Sequence, residues 1–215
     1  MIRLNEGYRE ILDLIASDSP TPGGGSVAAL SLAHAHALVC MVARLTLKSD
    51  KWESGHVTAD KALASSHEGV SVAIDLAHRD AESFDSVMLA FRMPKSTEDE
   101  IYERQRRISE GYIGASKVPM ETAKSGLELL KTILPFAVDC NANAITDLVA
   151  AAHLAQSAID IAALNVKING AAAPESVHDN FEEASWIWGE WGIENIEAEA
   201  ALLTEEISQI VARRM

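Results

Sequence analysis

Aromatic side chains are scarce: Phe, Trp and Tyr make up 5% of the 215 residues. A core built from this chain cannot rest on large rings. The abundance of alanine points instead to helices packed closely through small side chains. Cysteine is nearly absent. Cys40 and Cys140 both fall inside apolar helical patterns, so they read as small buried hydrophobes rather than a disulfide framework or a metal site. Basic residues are outnumbered, with 18 Lys and Arg against 32 Asp and Glu and a formal net charge of −14. That balance argues against broad binding to nucleic acid or to an anionic membrane, both of which require a basic surface. It leaves room for an anionic small molecule wherever a few lysines and arginines cluster. Strand alternation, internal repeats and low-complexity tails are also missing. So are a P-loop lysine, a G-x-S-x-G elbow and a G-x-G-x-x-G after a strand.

What is present is helical. Residues 3–16 predict a short amphipathic helix with Ile11, Leu12, Leu14 and Ile15 on its apolar side. The small, apolar run from Val27 to Leu47 has about the length of a membrane span. It contains Ser31, His34, His36 and Arg44, and no second span is expected, so it reads as the central buried helix of a soluble protein. Met1–Glu6 lack a basic segment followed by an apolar stretch, and the expected setting is cytoplasmic. Lys48–Gly55 is a polar connection, and a long helical pattern then runs from about Val57 to Met93 and stops at Pro94. Ser96-Thr97-Glu98-Asp99-Glu100 is a capping sequence for a helix reaching about Lys117. Pro119 is expected to restart or kink that helix, and Pro135 to break it again. Asn141–Asn169 is helical with an alanine-rich face. Residues 171–174 read as a loop, and Asn180–Arg213 as one or two closing helices weakened at Gly189 and Gly192. The expected fold class is all-α: one domain over residues 1–215, an antiparallel bundle of long helices with short loops.

The strongest local motif is Thr21-Pro22-Gly23-Gly24-Gly25-Ser26 ahead of the apolar run. Prolines stiffen its approach, the glycines leave backbone bare, and Ser26 is placed to cap the helix. Exposed N–H groups at a helix start attract anions and let a flat ligand come close. Read locally, the motif also fits a tight turn entering a buried helix.

Two acids fall on faces where acids are costly. At 100° per residue, Ala77, Phe84, Val87, Met88 and Phe91 form one apolar stripe, and Asp80 projects into its middle. Ala144, Ala151, Ala155, Ala158 and Ala162 form a second, narrow stripe. Asp147 lies on it toward one end and Asn165 and Asn169 toward the other, whereas Asp160 points to the far side. Such polar residues either border a cleft or are hydrogen-bonded across an interface. His36 shares a buried face with Ala29, Leu32, Cys40 and Ala43 and reads as a core histidine. His34 and His36 point different ways on a helix, and His56, His67 and His78 are too far apart along the axis to share an ion. No metal site is expected.

Three ordered blocks carry a family likeness: Ser19–Ala29 continuing through Met41–Thr46; Asp80–Met88 closing on Pro94-Lys95; and Val118-Pro119 through Asn141, Thr146-Asp147-Leu148 and Asn165–Asn169. Together they cover most of the chain. On them the sequence resembles the cyclodeaminase/cyclohydrolase family of folate enzymes. It departs at Cys140, where a glycine is expected, and at Trp52, Thr146 and Gly170. The resemblance implies a dimerising all-helical protein with a tetrahydrofolate cleft near the helix ends. It needs no cofactor beyond the tetrahydrofolate substrate. The implied reaction is hydrolysis of 5,10-methenyltetrahydrofolate to 10-formyltetrahydrofolate; the alternatives are ammonia release from formiminotetrahydrofolate and folate binding without turnover. Asp80 and Asp147 are then candidates for acid–base work or for balancing a cationic amidine. Lys95 would polarise a reacting group or hold a ligand carboxylate. Pro22, Gly23, Gly24, Gly25 and Ser26 would let the pterin lie against backbone, and Asn141 and Asn165 would meet its edge.

Overall fold

The computed structural model describes residues 7–173 and 192–215. Among them lie six α-helices and no strand: α1 (Tyr8–Ile15), α2 (Gly24–Leu47), α3 (His56–Phe91), α4 (Glu98–Asp139), α5 (Ile145–Ala172) and α6 (Ile193–Arg214). Short 3₁₀ turns, Asp50–Gly55 and Ala142–Ala144, join α2 to α3 and lead into α5. The expected all-α class is observed. The first six residues, Pro174, Asn180 and Gly189 lie outside the described residues.

Helices α2 to α5 pack in a closed ring, each against its chain neighbour and α5 back against α2, while α6 covers α4 and α5. Small side chains make this close packing possible. Ala28, Ala29, Ala35, Val39 and Ala43 of α2 are fully or almost fully buried, as are Ala151, Ala155, Ala158 and Ala162 of α5. The alanine stripe and the central helix are therefore covered by the chain's own helices, so neither one by itself calls for a second copy. Both cysteines are free and buried. Two segments, not one, are long and apolar enough to cross a membrane by length and composition: Gly24–Leu47 and Ala142–Ala172. Both are packed within the ring.

The capping signal before α4 is real. Thr97 accepts from the Glu100 backbone N–H, and the Glu100 carboxylate accepts from that of Thr97, closing a capping box. The expected breaks at Pro119 and Pro135 do not occur, and α4 runs through both. Proline cannot donate to the carbonyl four residues earlier. At Pro119 that leaves the Ala115 carbonyl open, and the Asn169 side-chain amide of α5 donates to it at 3.0 Å. The helix continues because a neighbouring helix takes up the orphaned group.

Helix α3 is longer than the ring requires. Asp80 lies opposite Gly25 at the start of α2, so the eleven residues Ala81–Phe91, about 16 Å of helix, run past the end of α2. The first part of α4 returns alongside, and the two form an overhanging helical hairpin.

Candidate functional site

The site forms where four elements meet: the 20–25 loop, the middle of α3, α4 at Pro119 and the last turns of α5. A crevice of about 180 Å³ is lined there by the Gly23–Gly25 backbone, Asp80, Phe84, Asn165 and Asn169, with Ala115 and Pro119 as its floor. Helix α2 begins at Gly24 with Gly23 as its N-cap, and no side chain caps it. Ser26, expected as a cap, sits in the first turn instead, and its hydroxyl donates to the Asp80 carboxylate at 3.0 Å.

Gly25 is sterically required. A Cβ built on it would overlap the Asp80 carboxylate, so this acid reaches the α2 backbone only because no side chain intervenes. The carboxylate rests at the positive end of α2, which favours its charge. Burial works the other way and is the larger influence. It pushes the Asp80 carboxyl above the usual range, against the lowering from the Ser26 hydroxyl and backbone N–H. An acid so held takes up a proton more readily than a solvated carboxylate, which suits it to accepting and returning one.

The structure brings together Asp80, Gly23, Gly24, Gly25, Ser26 and Asn165. Pro22 adjoins them through the loop, although it does not itself line the crevice. Asn165 donates back to the Ile161 carbonyl of its own helix at 3.1 Å. Asn169, Ser83, Phe84 and Pro119 complete the lining. Asn169 stood on the polar end of the stripe, but only the missing N–H of Pro119 explains its position.

Other expected residues lie elsewhere. Asp147 and Asn165 share a helix face but stand eighteen residues apart, about 27 Å along the axis, so Asp80 and Asp147 do not face a common hollow within one chain. Asp147 is half-buried in the first turn of α5. Asn141 is buried at that same distant end. Its backbone N–H donates to Thr46, its amide to the Leu45 carbonyl, and its side-chain oxygen accepts from the Asn143 N–H. Lys95 is exposed beyond the end of α3 and does not line the crevice. Of the apolar stripe on α3, Ala77 and Val87 are buried, whereas Phe84, Met88 and Phe91 are exposed on or near the overhang.

A family model described as formiminotransferase-cyclodeaminase matches residues 7–182, which include every residue of the crevice. The chain belongs to this family. A methenyltetrahydrofolate cyclohydrolase of Methylorubrum extorquens is 31% identical over 213 residues, 98% of this chain and 98% of that one. A formimidoyltransferase-cyclodeaminase of Rattus norvegicus is 28% identical over 166 residues, 77% of this chain and 31% of the longer rat protein. The solved formiminotetrahydrofolate cyclodeaminase of Thermotoga maritima matches with a TM-score of 0.78 at 26% identity, covering 98% of this chain and 96% of that one. The resemblance read from the three sequence blocks is thus borne out. In this member of the formiminotransferase-cyclodeaminase family, α6 lies beyond the matched span.

Proposed function

We propose that this chain is a folate enzyme that hydrolyses 5,10-methenyltetrahydrofolate to 10-formyltetrahydrofolate. The observation that carries the reading is Asp80: an inward acid fixed by Ser26 beside bare glycine backbone. The full-length similarity to the Methylorubrum cyclohydrolase supports it. The methenyl carbon lies between two nitrogens that share one positive charge. Asp80 balances that charge and takes a proton from water as the C–O bond forms. The tetrahedral adduct collapses as Asp80 returns the proton to N5 and the C–N5 bond breaks, leaving the formyl group on N10. Net release of one proton completes the balance, and no cofactor beyond the tetrahydrofolate substrate enters. General acid–base help of this kind is worth typically about 10²–10⁴-fold. The glycine backbone supports the pterin, with Asn165 and Asn169 at its edge.

The Thermotoga neighbour favours a second reading, in which the same tetrahedral carbon loses ammonia instead of gaining water. The methenyl absorbance separates the two with purified protein. It decays with 5,10-methenyltetrahydrofolate in the first case and grows from formiminotetrahydrofolate in the second. Tight folate binding with no change in either assay would overturn an enzymatic role.

The same reading makes the protein a cytoplasmic homodimer. Support comes from α1, which has no buried residue and leaves Tyr8, Ile11 and Leu12 exposed near Ile74. Light scattering at micromolar concentration tests it, and a monomer would overturn it.

A further inference from the structure

The crevice is too small for a whole folate, since sites for molecules of that size run from about 300 Å³ upward. Ser83 lines the crevice and also a second hollow, about 500 Å³, which continues along the α3/α4 overhang to Met93. Two glycines of α4 line this groove, and packing accounts for only one of them. A Cβ at Gly111 would come within 3.3 Å of the Val87 backbone, so a side chain there would crowd the two helices. A Cβ at Gly114 would meet nothing within 4 Å among the described residues. Glycine weakens a helix interior relative to alanine, and close packing against the described residues does not call for it at Gly114. Its neighbour Ala115 lines the crevice, so the groove and the crevice adjoin.

Arg107 is the cation lining the groove. Its Nε donates to Glu103 at 2.9 Å and its Nη1 only distantly to Glu110 at 3.4 Å; its Nη2 donates to no side chain among the described residues. Both acids are better held by Arg106, which donates to Glu103 through two nitrogens at 2.9 and 2.8 Å and to Glu110 at 2.6 Å. Arg106 keeps both acids hydrogen-bonded when Arg107, with its Nη2 unused by them, turns toward an incoming carboxylate.

We infer that the overhang groove holds the aminobenzoyl-glutamate end of the substrate, the aryl ring lying over Gly114 and a glutamate carboxylate meeting Arg107. This rests on the folate reading above and extends it from the reacting carbon to the whole ligand. The test compares 5,10-methenyltetrahydrofolate with its pteroate analogue, which lacks glutamate. Arg107→Gln is expected to raise KM for the folate by about tenfold with kcat within about twofold, and to leave KM for the pteroate unchanged. Gly114→Leu is expected to raise KM for both while the unfolding temperature holds or rises. If Arg107→Gln treats the two substrates alike, or Gly114→Leu leaves both KM values unchanged, the tail assignment is overturned, and the folate reading survives provided Asp80→Asn is inactive. If the unaltered protein neither binds nor converts either compound, the folate reading fails and takes this inference with it.

Discussion

At its C-terminal end α5 presents Asn165 and Asn169 to an open crevice that also receives Asp80. At its N-terminal end Asp147 and nearby Asn141 are of the same residue types, on the same side of the chain's architecture. There, however, the Asn141 amide is already engaged by Leu45 and Asn143, and Arg214 covers the end of α4 by donating to the Ala137 and Cys140 carbonyls at 2.6 Å. The distant end uses its polar groups to close the bundle. The crevice end keeps one acid poorly solvated and leaves backbone uncovered beside it. Residue type and helix face do not make a site; spare bonding capacity at an opening does.

The comparison is broken most directly by Asp80→Asn. The expected loss in kcat is about 10²–10⁴-fold. Burial holds the folded-state pKa of Asp80 above its unfolded value. Its contribution to stability is thus present at acid pH and lost as pH rises through that folded value, so the asparagine variant should melt no lower than the parent at pH 7. Undiminished turnover would remove the crevice from consideration.

His36, midway along α2, gives the next largest effect. It is 4% exposed, neither ring nitrogen has a hydrogen-bond partner among the described residues, and desolvation lowers its pKa to about 4. The unfolded chain binds the proton near pH 6.5, the folded one only near 4. Stability is therefore full above 6.5 and falls as pH drops across that window, by about 3 kcal/mol in all. Denaturant titrations from pH 7.5 to 4 check this; the fall should flatten in His36→Leu.

Asn141→Ala sharpens the contrast from the closed end. Losing buried hydrogen bonds to α2 should cost about 1–3 kcal/mol, measured by urea unfolding, with kcat within about twofold at a temperature where the variant is folded. The smallest effect is expected for Asp147→Asn, a change in kcat below about threefold, because the group is remote from the crevice. A loss above tenfold would show instead that a second copy carries Asp147 to the site.

Much of this was legible in the residues. The small-residue run of α2, the Thr97–Glu100 capping box and the inward angle of Asp80 follow from local patterns. The helical rise already set Asp147 and Asn165 at opposite ends of one stripe; which end receives Asp80 depends on how α3 packs, and local pattern does not carry that. Pro119 read as a break because local rules cannot supply a donor from another helix. Gly25 read as bare backbone at a helix start, and its steric necessity emerges only when Asp80 is placed against it. The alanine stripe does not say which helices cover it; in the fold α2 and α4 of the same chain pack against α5.

The bond from Asn169 to Ala115 ties two distant choices into one. An imino acid in the middle of α4 would ordinarily be a flaw, yet here it supplies a handle by which the final turns of α5 are fastened beside the crevice. Were an ordinary residue to stand at Pro119, α4 would reclaim its own carbonyl and Asn169 would lose its mooring. The seating of Asn169 beside the crevice thus follows from an amide hydrogen that Pro119 lacks.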